Sequence, residues 1–174
     1  IDDQVAFCGG IDMTICRWDT REHLEYHPAR RSPRGKEEAP WHDATSCCSG
    51  PAAAALAELA RNRWQMATEE KLEPQTVDSD AWPDDLAVEY REIDVGIART
   101  APEYQDRKQI AEIETATLAI IAAAKESLYI ESQYFASRRI AEAMAKRLQE
   151  PDGPEIVLIN PQKADGWLES KTMD

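Results

Sequence analysis

Between residues 93 and 159 the chain alternates short apolar, β-branched runs with helical periods, and this alternation limits the fold more than any other feature of its 174 residues. Strand-length runs at 93–98, 127–131 and 155–159 are separated by two stretches, 108–124 and 137–149, in which apolar residues recur every three or four positions. The first predicted helix gathers Ile110, Ile113, Thr117, Ile120, Ile121 and Ala124 on one face, and the second gathers Ile140, Ala143, Met144 and Leu148. Strands joined through amphipathic helices need crossover connections, so the expectation is an α/β fold with a mixed or largely parallel sheet. In such a sheet functional groups collect beyond the carboxyl ends of the strands. That rule points to Arg99 and Thr100, to Glu131 through Gln133, and to Asn160 and Pro161.

The start of the chain has a different texture. An apolar run ends in Cys8, Gly9, Gly10, Ile11 and Asp12, the pattern of a strand that delivers a polar loop to one end of a sheet. The glycine pair also fits a tight turn in which glycine supplies positive φ. The segment 21–39 is rich in Pro, Arg, Glu and Lys without a hydrophobic period, and reads as an exposed loop. Trp41, His42 and Asp43 then lead into a small-residue strand at 44–49. Gly50 and Pro51 open a helix, proline at the first helical position losing no hydrogen bond there. Leu56, Leu59, Ala60, Trp64 and Ala67 are its predicted buried face. Beyond Thr68 the sequence turns acidic and aperiodic, which marks a linker, with Trp82 placed to pin it to a neighbour.

Composition narrows the function classes. The formal net charge of -13 repels phosphate backbones, so no nucleic-acid partner is expected, although solvated helix surfaces alone also produce such acidity. Cys8, Cys16, Cys47 and Cys48 have no metal-ligand spacing, and the last two are adjacent, so reduced thiols in a cytosolic or cytosol-facing protein are expected. The three histidines, His23, His27 and His42, lack H-x-x-x-H or H-x-H spacing, and no zinc site is expected. No apolar run approaches the roughly 20 residues that span a bilayer, and no charged-then-apolar leader opens the chain. Ile1 in place of Met suggests a segment that does not begin at a native start.

Several motifs together resemble the phospholipase D superfamily. Asp2, followed by Gly9, Gly10 and Asp12, looks like the tail of that family's first H-x-K-x-x-x-x-D motif, whose histidine and lysine would precede Ile1. Gly-Gly-Ile-Asp, then Arg17, Trp18, Asp19, Thr20 and His23, resembles the family's "GGID…GR-aromatic-DT…H" run. Trp41-His42-Asp43, a strand, Gly50-Pro51-Ala52 and a helix carrying Arg61-x-Arg63-Trp64 follow in the family's order. Tyr129 to Phe135 resembles "YIENQYF", with Ser132 where the family usually has Asn, and Trp167-Leu168-Glu169 with Thr172-Met173 continue as the opening of a further helix. The resemblance implies an incomplete α/β/α sandwich, its sheet flanked by helices on both faces. Residues 1–72 would end a first half, 73–92 form an acidic linker, and 93–174 open a second half, with the second histidine motif beyond Asp174.

What the resemblance implies for chemistry is a double displacement at a phosphodiester. One motif histidine attacks phosphorus to form a phosphohistidine, the other protonates the leaving alcohol, and the paired lysines stabilise the phosphoryl oxygens. The substrate would be a glycerophospholipid at a membrane surface, met by a cytoplasmic, peripherally associating protein of unknown oligomeric state that needs no cofactor or metal. Hydrolysis competes with phosphatidyl transfer of the cardiolipin-synthase kind, and an inactive scaffold relative is the non-enzymatic alternative. Asp43 inherits the acid that hydrogen-bonds the first catalytic histidine; as a plain residue it also fits a cap or surface acid. Asp2, Glu131 and Gln133 complete the expected catalytic set, although Glu131 equally fits a strand-end acid satisfied by local backbone. Gly9, Gly10, Asp12 and Arg99 are expected to bind substrate or shape loops. The acids near positions 2 and 43 and the polar cluster around 131 are expected to converge on one cleft, and His42 has no chemical step.

Overall fold

The computed structural model describes residues 1–75 and 81–161, and within them the chain is mixed α/β, with three α-helices and three two-stranded sheets. It divides into two compact units, Ile1–Ile97 and Ala98–Asp174. Trp167, Leu168, Glu169, Thr172 and Met173, read above as the opening of a helix, lie outside the described residues.

In the first unit, strand β1 (Val5–Gly9) pairs antiparallel with β2 (Thr45–Ser49), in a register that sets Val5 opposite Ser49 and Gly9 opposite Thr45. Helix α1 (Pro51–Thr68) follows at once and packs on both strands, with Val5 and Ala53 buried. Gly50 takes φ +69 just before Pro51, a backbone that favours a residue without Cβ. The predicted buried face of α1 is only partly realised. Leu56 and Leu59 are half-buried, whereas Ala60, Trp64 and Ala67 are exposed. The helix has 18 residues against five in each strand, and Trp64 and Ala67 lie in its last two turns. There the Trp64 indole donates instead to Glu70, at 2.9 Å. Trp82, expected to pin the linker, donates to the Leu86 carbonyl at 2.8 Å.

In the second unit, strand β5 (Ser127–Glu131) runs parallel to β6 (Glu155–Ile159), with helix α3 (Arg138–Leu148) between them in sequence, the one expected parallel pair among the described residues. Leu128 and Ile130 of β5 and Ile156 of β6 meet Ile121 of helix α2 (Glu112–Ala123) and Ile140, Ala143 and Met144 of α3. Period two puts Tyr129, Val157 and Ile159 on the other, exposed face.

From residue 93 onward several expectations need correction. The run 93–98 is not a strand, and Ile93 and Val95 are exposed: Gly96 weakens the run, and no described strand lies beside it to accept its ladder. A two-residue strand β3 (Thr100–Ala101) forms after it instead and pairs antiparallel with β4 (Ile110–Ala111). Because Ile110 and Ala111 are drawn into that pair, α2 starts at Glu112 rather than near 108, with Glu112 and Glu114 in its first turn, where the helix dipole favours acids. The helix is apolar over so much of its circumference that period alone does not set its rotation. Ile121 is the residue turned into the core, while Ile113 and Ile120 face out. On α3, Leu148 in the last turn is likewise exposed. Among the described residues no helix is long and apolar enough to cross a membrane.

Candidate functional site

Antiparallel pairing of β1 with β2 brings the segment that leaves β1 beside the segment that enters β2. A β-carbon built on Gly10 would stand 3.3 Å from Asp43 Oδ2 and 3.9 Å from Oδ1, so this carboxylate lies against the bare backbone after the strand. Asp43 Oδ1 also accepts the Ala44 N–H at 2.7 Å, which holds the side chain at the mouth of β2. Neither glycine of the pair has positive φ. Gly9 is required by close approach: its β-carbon would fall 2.1 Å from Thr45 Oγ1 and 2.8 Å from the Thr45 Cα. Positive φ therefore explains neither glycine, and steric proximity to β2 explains Gly9.

Asp12 and Arg17 extend this cluster. Arg17 lies in a short 3-10 turn, Ile15–Arg17, and its guanidinium pairs with Asp12 at 3.5 Å. Its Cζ also sits 3.4 Å from the ring centroid of Trp41, two residues before Asp43. Arg17 thus bridges the segment after Gly10 to the segment before Asp43, a junction at one end of the strand pair.

Asp2 is not part of it. Asp2 and Asp3 both take positive φ in the turn before β1, at the opposite end of the strand from Asp43. Asp3, which the sequence did not single out, is the engaged acid there. It pairs with Arg61 of α1 at 2.5 Å and accepts the Gln75 N–H at 3.2 Å. A cavity of about 410 Å³ lined by Asp3, Val5, Ser49, Gly50 and Pro51 lies at that end too. No sequence signal links Asp3 to a partner 58 positions away.

The segment 21–39, expected to be an exposed loop, is organised around a buried cation. Arg30 is only 2% exposed, and its guanidinium donates to Asp19 Oδ1 at 2.7 Å and to the carbonyls of Leu24, Glu25 and Trp18 at 2.9, 3.0 and 3.3 Å. A planar group with five donors can organise a loop whose own large apolar residues, Leu24 and Tyr26, stay exposed, which hydrophobic periodicity does not reveal. Asp19 also bonds His23 Nδ1 at 2.8 Å. The His23 bond first, then the Thr20 backbone and Arg30, lower its pKa to about 2. Trp18 packs its ring against His27, with centroids 4.9 Å apart. The Arg17-Trp18-Asp19-Thr20…His23 run is therefore a folded knot whose first residue reaches Trp41.

The polar residues of the second unit sit at the carboxyl end of β5. Glu131 Oε1 accepts the Tyr129 hydroxyl at 2.6 Å, and this bond raises the tyrosine's pKa. Ser132 donates its N–H to Ile159 at 3.0 Å and its hydroxyl to the Tyr134 carbonyl at 3.0 Å, so the serine closes a local turn. Gln133 follows it, exposed. Arg99 forks onto Glu112 through Nε at 2.8 Å and a terminal nitrogen at 2.6 Å, and its own carbonyl accepts the Glu112 N–H at 2.9 Å. The fork raises the arginine's pKa and lowers that of Glu112. Arg99 thereby shapes the start of α2.

Among the described residues no group of three or more His, Cys, Asp and Glu side chains is placed to hold a metal ion. Cys8, Cys47 and Cys48 are free thiols, and burial pushes the Cys47 thiol up. No family model matches the chain. Over 175 aligned residues it is 27% identical to phospholipase D alpha 2 of Oryza sativa subsp. japonica, a similarity that takes in 75% of this chain and 21% of that protein. The chain thus spans about a fifth of the length of that relative.

Proposed function

We propose that this chain is part of a phospholipase D-type phosphodiesterase, which hydrolyses or transfers the head group of glycerophospholipids through a phosphohistidine. The observation that carries the reading is the Asp43 carboxylate lying against Gly10 at the junction of β1 and β2. The similarity to a plant phospholipase D and the order of motifs along the chain support it.

A histidine that attacks phosphorus through one ring nitrogen needs the proton on the other nitrogen held by an acceptor, which fixes the tautomer and stabilises the imidazolium. Asp43 is that acceptor in this reading. It is exposed and stands where a β-carbon is missing on the facing strand end, so an imidazole can approach it. The attacking histidine and its lysine belong to an H-x-K motif outside these residues. The second motif supplies the acid for the leaving alcohol, and Glu131 and Gln133 contribute polar groups at the end of β5. In this reading residues 1–72 end one half and residues 93–174 open another half of an α/β/α sandwich, and the exposed face of β5 and β6 is the side that further elements of the sandwich cover. The protein works at the cytoplasmic face of a membrane, where its substrate resides.

The test uses the complete protein and phosphatidylcholine vesicles labelled in the head group, with and without an acceptor alcohol. Asp43→Asn is nearly isosteric and is expected to lower turnover about 100-fold or more, with little change in the unfolding midpoint. Release of labelled head group only when acceptor is present identifies transfer. Wild-type turnover in the Asn variant removes the role of Asp43.

A further inference from the structure

Arg17 has a geometry that neither its position in the sequence nor the proposed chemistry explains. It is mostly buried although it lies in a polar loop, and it is held between two segments that flank the site from opposite sides. On one side is Asp12, two residues after Gly10. On the other is Trp41, two residues before Asp43. The Trp41 face is a strong partner for a planar cation, and Asp12 supplies a charge at 3.5 Å to balance it. The next residue is fixed as well: the Trp18 carbonyl accepts from buried Arg30, and the Trp18 ring packs on His27. Arg17 is therefore presented to Trp41 by a rigid base.

We infer that Arg17 is a positioning residue: stacked on Trp41 and paired with Asp12, it locks the segment entering β2 against the segment leaving β1, and so fixes the Asp43 carboxylate beside Gly10. This rests on the reading of Asp43 as the acid that orients the attacking histidine. The local bond to Ala44 N–H holds only one oxygen of Asp43, and the side chain is otherwise exposed. The backbone that carries it needs a second restraint, and the stack two residues away supplies it. Misplacement of an orienting group by about 1 Å lowers turnover on the order of 100-fold. Arg17 touches no reacting atom in this account and acts only through Asp43.

That last statement is what a double-mutant cycle tests. In the complete protein, Arg17→Ala is expected to lower kcat/KM about 10-fold in the wild-type background and less than about twofold in the Asp43→Asn background. Trp41→Leu removes the other half of the stack and carries the same pair of expectations, which keeps the test open if the alanine variant folds poorly. Arg17→Lys keeps a cation over the ring and is expected to recover most of the loss. A merely structural role shrinks the folded fraction, and its deficit multiplies with that of Asp43→Asn; multiplicative losses, or full activity in Arg17→Ala, overturn the positioning role. Wild-type activity in Asp43→Asn alone overturns the reading of Asp43 itself, and the two failures are told apart by that single variant.

Discussion

A β-carbon at Gly9 meets Thr45 at 2.7 Å on its side-chain Cβ and 2.8 Å on its backbone Cα, so replacement by alanine forces the two strands apart. Gly9→Ala is expected to destabilise the protein by about 1–3 kcal/mol in urea unfolding. Because the backbone contact survives truncation, adding Thr45→Ala is expected to restore only part of the loss, and full restoration would locate the conflict in the threonine side chain alone. Gly10→Ala presses only on the carboxylate end of Asp43, which can move. Its expected effect is a small change in stability with a clear drop in turnover of the complete protein. At Asp19 the relevant variable is pH. Its carboxyl titrates near 2 in the folded protein, well below its ordinary value of 3.8. A depressed folded pKa contributes stability that is fully present above the unfolded value and is lost as pH falls through the folded one. Asp19→Asn is therefore expected to be less stable than wild type at pH 6, with the gap closing between about pH 4 and pH 2. A gap that stays constant over that range would show that the charge on Asp19 does not hold the Arg30 knot.

At the scale of elements, the long-period signals were the legible ones. Alternation placed β5 and β6 and their parallel pairing, and helical period placed α3 with Ile140, Ala143 and Met144 on its packed side. Met144 is buried against Ile121 and Leu128, and Met144→Ala is expected to cost about 2–5 kcal/mol, read from the urea midpoint; a cost under 1 kcal/mol would mean that this cluster is not the core of the second unit. What the sequence hid was competition between local options. Ile110 and Ala111 suit a helix by period, yet Arg99 draws the chain back through its fork on Glu112 and turns those two residues into a strand. Arg99→Ala is accordingly expected to speed amide exchange at Glu112 and Ile113, whose N–H groups the Arg99 carbonyl accepts, while leaving the far end of α2 unchanged. The loop held by Arg30 was illegible for a related reason. Its organising bonds run from one side chain to backbone carbonyls, and carbonyls are present at every residue.

For the molecule as a whole, the candidate site was legible as motifs but not as distances. Gly10 and Asp43 are 33 residues apart in a sequence that says nothing of their contact until β1 and β2 are paired. The same pairing sends Asp2, their neighbour in the motif reading, to the other end of the strand. Arg17 entered only as a letter in a motif, because a cation stacked on a ring 24 positions away leaves no periodic trace. The proposed chemistry also sets a condition on the 174 residues taken by themselves. His23, His27 and His42 are their only histidines, and none is followed two places later by lysine. If the phosphoryl acceptor is an H-x-K histidine, the purified 174-residue chain can present Asp43 but has nothing for it to orient. It is expected to release no head group from labelled phosphatidylcholine vesicles and to trap no acid-labile phosphate on histidine, while the complete protein does both. Turnover by the 174 residues alone would require one of those three histidines, or another group, to be the nucleophile. In that case His23, bonded to Asp19 at 2.8 Å, is the one already paired with an acid, and loss of activity in His23→Gln with retention in Asp43→Asn would move the reaction centre from the β1–β2 junction to the Arg30 knot.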